Sequence, residues 1–434
     1  MCREGVDMRR IVTTGIALFM GTAAMAEPVR IGLMTSHDSE VAPISISFHD
    51  GLADYATLVN VRDGGVEGNA VEIVPCETNY TLEGHMKCYA ELAAQGIVAA
   101  IPSSTAGAYA MNQMAFEIGV PVLNGGLGQT AVADGTLFPY SFAMPANYYQ
   151  AASAMIEAFR GELGGLEGKR IAFVYHDSPF GQEPIPLLRA MAAADGFTLD
   201  LYPVTPPGDD QIAIWGPIAQ TRPDRVILWT VGRMTAVSIG TAAAVSYPRE
   251  QMMGIWWTTL EAMMRQIGPA ADGMRAMSMS GVGHDVAAYN DLNEMVYYSG
   301  LGNGTMNNIG HIDYNRGLIT AYYLIEAART GLRNLDGPFD AAAMQQGLEN
   351  LNLTAEDIEA AGLGDLGAPL TLSCANHSGY GLLRVISYDA RFRRWQNEDD
   401  YIAADPARVD EAVMTAAAGF AQAKGITARR CPSS

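Results

Sequence analysis

From residue 29 to residue 123, short apolar runs alternate with longer amphipathic stretches, and no other feature narrows the fold as much. The runs at 29–34, 71–76, 97–101 and 120–123 read as buried strands, being short, apolar and bounded by turn residues such as Asp63-Gly64-Gly65. The stretches between them, near 47–60, 82–94 and 107–118, have helical length. Strand, helix and strand in succession predict right-handed crossovers and a parallel sheet. The rhythm restarts after Lys169-Arg170, with strands expected at 171–175, 197–201, 225–229 and 252–256.

Two α/β lobes are therefore expected. The chain fits a crossing from one to the other at Phe138-Pro139-Tyr140-Ser141-Phe142, before a helix beginning near Tyr148. Helices are expected near 285–298, 315–330 and 340–348, strands at 370–373 and 382–388, and a hairpin return at 391–395. An Ala-rich, helical tail occupies 401–434. At the other end, residues 1–26 read as an export signal: Arg9-Arg10, a short apolar run, and the small-x-small site Ala24-Met25-Ala26. The run is too short for a permanent membrane span.

The formal net charge is −20, which argues against nucleic acid or an anionic membrane as partner, since both require basic patches. Beyond the signal lie four cysteines: Cys76, Cys88, Cys374 and Cys431. An exported chain with an even count permits two disulfides, and four cysteines allow three pairings. Cys76–Cys88 is favoured as the nearer pair, which leaves Cys374–Cys431 to pin the tail; buried free thiols remain the alternative. Zinc is disfavoured because there is no CxxC pair.

Catalytic motifs are missing. There is no GxSxG elbow, and Asn124-Gly125-Gly126-Leu127-Gly128 is neither GxGxxG nor a Walker loop. It reads as a turn where backbone approaches a ligand, or as a plain tight turn. His176-Asp177 follows a strand and could form an acid–base pair, though such pairs more often cap a helix. No enzyme activity and no cofactor are expected.

Several segments together resemble the type I periplasmic binding proteins of the Leu/Ile/Val-binding kind. They are Val29-Arg30-Ile31-Gly32-Leu33-Met34, Gly64-Gly65-Val66-Glu67-Gly68-Asn69, Ser103-Ser104-Thr105 and Gly119-Val120-Pro121-Val122, in that order. A narrower branch is suggested by 174–184, 347–354 and 373–377. The resemblance implies two Rossmann-like lobes joined by three crossovers, 27–146 with 279–360 and 147–278 with 361–400, with a ligand cleft between them. It further implies a periplasmic protein, expected to be a monomer, that delivers a small molecule to an ABC permease. A module feeding a membrane sensor would share that fold.

By the same resemblance, Ser103, Ser104, Thr105, Gly126 and Gly128 hold a ligand carboxylate, and Phe180 stands at the cleft edge. Amino-acid binders of this kind carry an acidic residue after the strand placed here at 252–256. This chain has Trp256-Trp257-Thr258-Thr259 instead, and Glu261 comes four residues later than Trp257. A buried ammonium without a carboxylate is costly. The expectation is therefore an aromatic or other apolar carboxylate, bound among Trp256, Trp257, Phe180 and Tyr148 or Tyr149, with Arg233 as a cation for it. A branched-chain amino acid or an amide is the alternative.

Overall fold

The computed structural model describes Met1 and residues 27–283, 286–333, 337–379, 381–398 and 401–432. The export signal expected at 1–26 thus lies almost wholly outside the described residues.

Five strands build the first sheet: β1 (Val29–Thr35), β2 (Val71–Glu77), β3 (Ala99–Ile101), β4 (Val122–Leu123) and β5 (Ser141–Phe142). Their order is β2-β1-β3-β4-β5, and every pairing is parallel. The crossovers are helices α1 (Ala42–Asp63), α2 (Leu82–Ala94) and α3 (Thr105–Ile118). Local chemistry sets their ends. Thr81 and Ser104 cap α2 and α3 by accepting the N–H groups of Gly84 and Gly107. Gly64 and Gly119 close α1 and α3 in the left-handed conformation.

α4 (Tyr148–Leu163) leads into the second unit, its start fixed by a capping box between Asn147 and Gln150. Five parallel strands follow: β6 (Arg170–His176), β7 (Thr198–Val204), β8 (Arg225–Trp229), β9 (Met252–Gly254) and β10 (Arg275–Ser278). The chain then returns to the first unit, where the helix Ile312–Arg333 packs along α1. There β11 (Asn352–Leu353) pairs with β12 (Leu370–Thr371). Finally β13 (Leu382–Asp389), β14 (Arg394–Asn397) and β15 (Ile402–Ala403) extend the second sheet. β13 runs antiparallel to β10, so this sheet is mixed, not parallel throughout as the sequence rhythm suggested.

Two further placements differ from the sequence reading. Leu363, Leu366, Leu370 and Leu372 pack in the core of the first sheet, although 361–400 reads as second-lobe sequence. The expected helix at 285–298 is a short α-helical turn, Ala288–Asp291, continued as a π-helix over Leu292–Tyr297.

Both expected disulfides are present, Cys76–Cys88 and Cys374–Cys431. The tail helix Pro406–Lys424 lies on the core of the second sheet, with Phe420 against Phe138. Past Gly425 the chain turns back toward β5. Arg429 N–H donates to Thr136 O, and Cys431 is bonded to Cys374. The neighbouring His377 stacks on Phe142 and contacts Ser141 O through Nδ1.

Candidate functional site

Parallel α/β sheets present ligands at the carboxyl ends of their strands. A cavity of about 90 Å³ lies there between the two sheets. Met34 lies near the end of β1, Ser103 follows β3 and Gly125 follows β4. From the second unit come Phe180 after β6, Val231 after β8 and Trp257 after β9. α1 contributes Ile44 and Phe48, and the first turn of α4 contributes Tyr148. Among the described residues, none of the side chains lining this cavity is charged.

Hydroxyls supply its polarity. Trp257 Nε1 donates to Tyr148 Oη at 3.1 Å, and that oxygen lies 3.0 Å from Thr105 Oγ1. The Gly128 N–H also reaches Thr105 Oγ1, at 3.5 Å. Tyr148 and Thr105 have two hydroxyl protons between them, and their mutual bond uses one. The other is not used by that bond. Burial raises the Tyr148 phenol pKa far above its ordinary range, so it remains a neutral donor.

The expected site residues divide. Ser103, Thr105, Phe180 and Trp257 line the cavity together, and of the two tyrosines Tyr148 does so. Ser104, Gly126, Gly128, Tyr149, Arg233 and Trp256 are not among the lining residues. The Ser104 hydroxyl is taken up in capping α3. Tyr148 and Tyr149 both pack in the core of the second sheet, and Tyr149 does not reach the cavity. Trp256 is fully buried, stacked on Tyr148, and its indole N–H donates to Gly126 O at 3.0 Å. Arg233 is exposed, pairs with Asp209 at 2.8 Å, and borders a different crevice. Gly128 sits so close to the Glu183 carboxylate that a Cβ there would collide with it. His176 contacts Ser178 and not Asp177, which accepts from Gln182 instead, so no acid–base pair forms.

Behind Trp257 lies a buried ionic cluster that nothing in the local sequence announced. Arg316 passes under the Trp257 ring, its Cζ 5.6 Å from the centroid. It donates to Trp256 O at 2.7 Å and to Thr259 Oγ1 at 2.8 Å, and it pairs with Asp313 at 2.6 Å. Arg316 belongs to a helix of the first unit and the tryptophans belong to the second, so the contacts bridge the two. Glu261 accepts the N–H of Ile312 at the start of the same helix. It faces that helix instead of the cavity, so it does not replace the acidic residue missing after β9.

Burial, then the nearby Asp313 charge, push the Glu261 pKa up to about 8. A raised folded-state pKa stabilises the fold fully below the unfolded value. That stability is lost as pH climbs through the folded value. Glu261 should therefore make stability fall between its ordinary pKa of 4.5 and about 8. Urea midpoints measured across that range should show the decline, and Glu261→Gln should flatten it. A slope unchanged in the variant would assign the effect elsewhere.

Residues 28–391 match the family model described as periplasmic binding protein. A crystal structure described as an ABC transporter permease from the Pseudomonas fluorescens group is 31% identical, with a TM-score of 0.88. That match covers 93% of this chain and 99% of the other. A valine-bound branched-chain amino acid ABC transporter from Thermus thermophilus is 17% identical, with a TM-score of 0.74, over 89% of this chain and 98% of its own. A solute-binding protein from R. palustris in complex with benzoate is 18% identical, with a TM-score of 0.63, over 88% and 98%. No curated protein matches. The chain belongs to the periplasmic binding protein family, the substrate-binding proteins of ABC transport, and not to an enzyme family.

Proposed function

We propose that the protein captures a compact, apolar carboxylate and delivers it to an ABC permease. The observation that carries this is a cavity walled by aliphatic and aromatic side chains, with hydroxyl donors and, among the described residues, no charged lining residue. A carboxylate can be held by hydroxyls and by the free N–H groups at the start of α3, where the helix dipole also favours an anion. An α-ammonium would be buried here without a counter-charge. That favours an acid over the corresponding amino acid. At about 90 Å³ the space is small. An apolar cavity of ~150 Å³ accommodates benzene, so a short branched acid fits this reading better than a ring acid or a long chain.

Closure is the capture step. Residues of both units line the cavity, so a ligand adds contacts that only the closed form offers. A thermal-shift panel of isovalerate, benzoate, their primary amides, leucine and valine tests the assignment, because a ligand selective for the folded state raises the melting temperature. Isovalerate should raise it more than benzoate, and the amino acids should not raise it. A shift with leucine and none with either acid would overturn the reading. Thr105→Val and Trp257→Ala should each weaken binding of a positive acid about tenfold, ~1.4 kcal/mol, while Arg233→Ala, exposed and already paired, should leave it unchanged.

A further inference from the structure

Ser103 touches the cavity on one side and a buried histidine on the other. His85 Nδ1 lies 2.7 Å from Thr81 O, and Nε2 lies 2.9 Å from Ser103 Oγ. A carbonyl only accepts, so Nδ1 carries a proton. In neutral His85, Nε2 must then accept. The Ser103 backbone N–H points to it at 3.3 Å, in keeping with that tautomer.

A chain of hydroxyls continues behind Ser103, to Ser36 at 2.8 Å, from Ser36 to Thr78 at 3.1 Å, and from Thr78 to Thr35 O at 2.8 Å. Counting from His85 Nε2 to Thr35 O there are four contacts, and Ser103, Ser36 and Thr78 supply three protons. With His85 neutral, Ser103 donates to Nε2, Ser36 donates to Ser103, and the longest contact lacks a proton. Ser103 then shows the cavity only a lone pair, which repels an anion. With His85 protonated, Nε2–H donates to Ser103 Oγ, and the Ser103 proton is released. A bound carboxylate accepts that proton in a hydrogen bond. It also supplies the counter-charge that burial denies the imidazolium.

We propose that His85 is a positioning residue that sets the polarity of Ser103, so that a carboxylate binds together with one proton. The proposal rests on the carboxylate reading above. The surroundings of the ring are suited to such a role. Burial lowers its pKa, while the Thr81 carbonyl and the Glu77 carboxylate at the end of β2 act in the opposite sense. α3 faces the ring with Ser104 and Gly107, and Ser103 precedes it; none of these titrates. An imidazole poised in this way changes charge at little provocation. Its pKa is low in the free protein and higher in the complex. Affinity is therefore greatest below the free-protein pKa and is lost as pH rises through that of the complex.

Calorimetry on the intact chain tests this, with benzoate and isovalerate, each beside its primary amide, between about pH 5.5 and 8, where the acids stay ionised. Each titration is run in two buffers of different ionisation enthalpy. Acid binding should be accompanied by uptake of up to one proton, and the affinity should fall by at most about tenfold per pH unit. The amides should show neither effect, and His85→Gln should abolish both for the acids. Acid binding that is flat with pH and takes up no proton overturns the switch and leaves the carboxylate reading standing. Amide binding with both acids silent, or silence of all four probes, overturns the carboxylate reading and the switch with it. If His85→Gln does not fold, proton uptake by the unsubstituted protein decides.

Discussion

Arg316→Ala is expected to destabilise the protein by about 3–5 kcal/mol, the penalty for removing one partner of a buried ion pair. The guanidinium is 1% exposed, and Asp313 opposite it is 3% exposed. Without Arg316, the Asp313 carboxylate would remain buried beside Glu261 with no cation. The Thr259 hydroxyl would lose its donor as well, and the Trp256 carbonyl would keep only the Thr259 hydroxyl. Urea denaturation measures the loss. Combining Arg316→Met with Asp313→Leu should recover most of it, because no charge is then stranded. A loss below about 1 kcal/mol in the single variant would mean that water reaches Asp313 and that Arg316 does not join the two units.

Trp256→Ala should cost a similar amount, about 3–5 kcal/mol. The sequence reading placed this ring against ligand, and the structure places it in the core. It is 0% exposed, stacked 5.9 Å from Tyr148 between ring centroids, with its N–H on Gly126 O. The variant should melt far lower than Trp257→Ala. At temperatures where both are folded, Trp257→Ala should show the greater loss of affinity. A Trp256→Ala protein with an undiminished melting temperature and abolished binding would return the ring to the ligand.

This pair shows how far sequence reasoning reaches. Strands such as β6 were legible because a parallel strand covered on both faces is a continuous apolar run, and Ile171 to Tyr175 is entirely buried. The loops beyond those strands were legible too, since topology places ligands there, and Ser103, Thr105, Phe180 and Trp257 all line the cavity. Which of two adjacent aromatic residues faces the cavity depends on the phase of a single turn. Composition does not encode that, and both Tyr148/Tyr149 and Trp256/Trp257 raised the question. Ile44 and Phe48 escaped notice because on an amphipathic helix a cavity-lining residue looks like a core residue. His85 was one of seven scattered histidines. Its role depends on two contacts, to Thr81 and Ser103, the second of them across to the next crossover.

The end of the chain bears on how this molecule can move. The helix Pro406–Lys424 rides on the second sheet, while Cys431 is riveted through Cys374 beside the edge strand of the first. The segment between them, 426–431, reaches at most about 20 Å even when pulled straight. It is a leash across one corner of the molecule. Any swing that parts the halves must keep that corner almost still, as a book turns about its spine. The aperture shown to an incoming molecule is then capped by the leash, whatever the strength of the contacts that close the mouth.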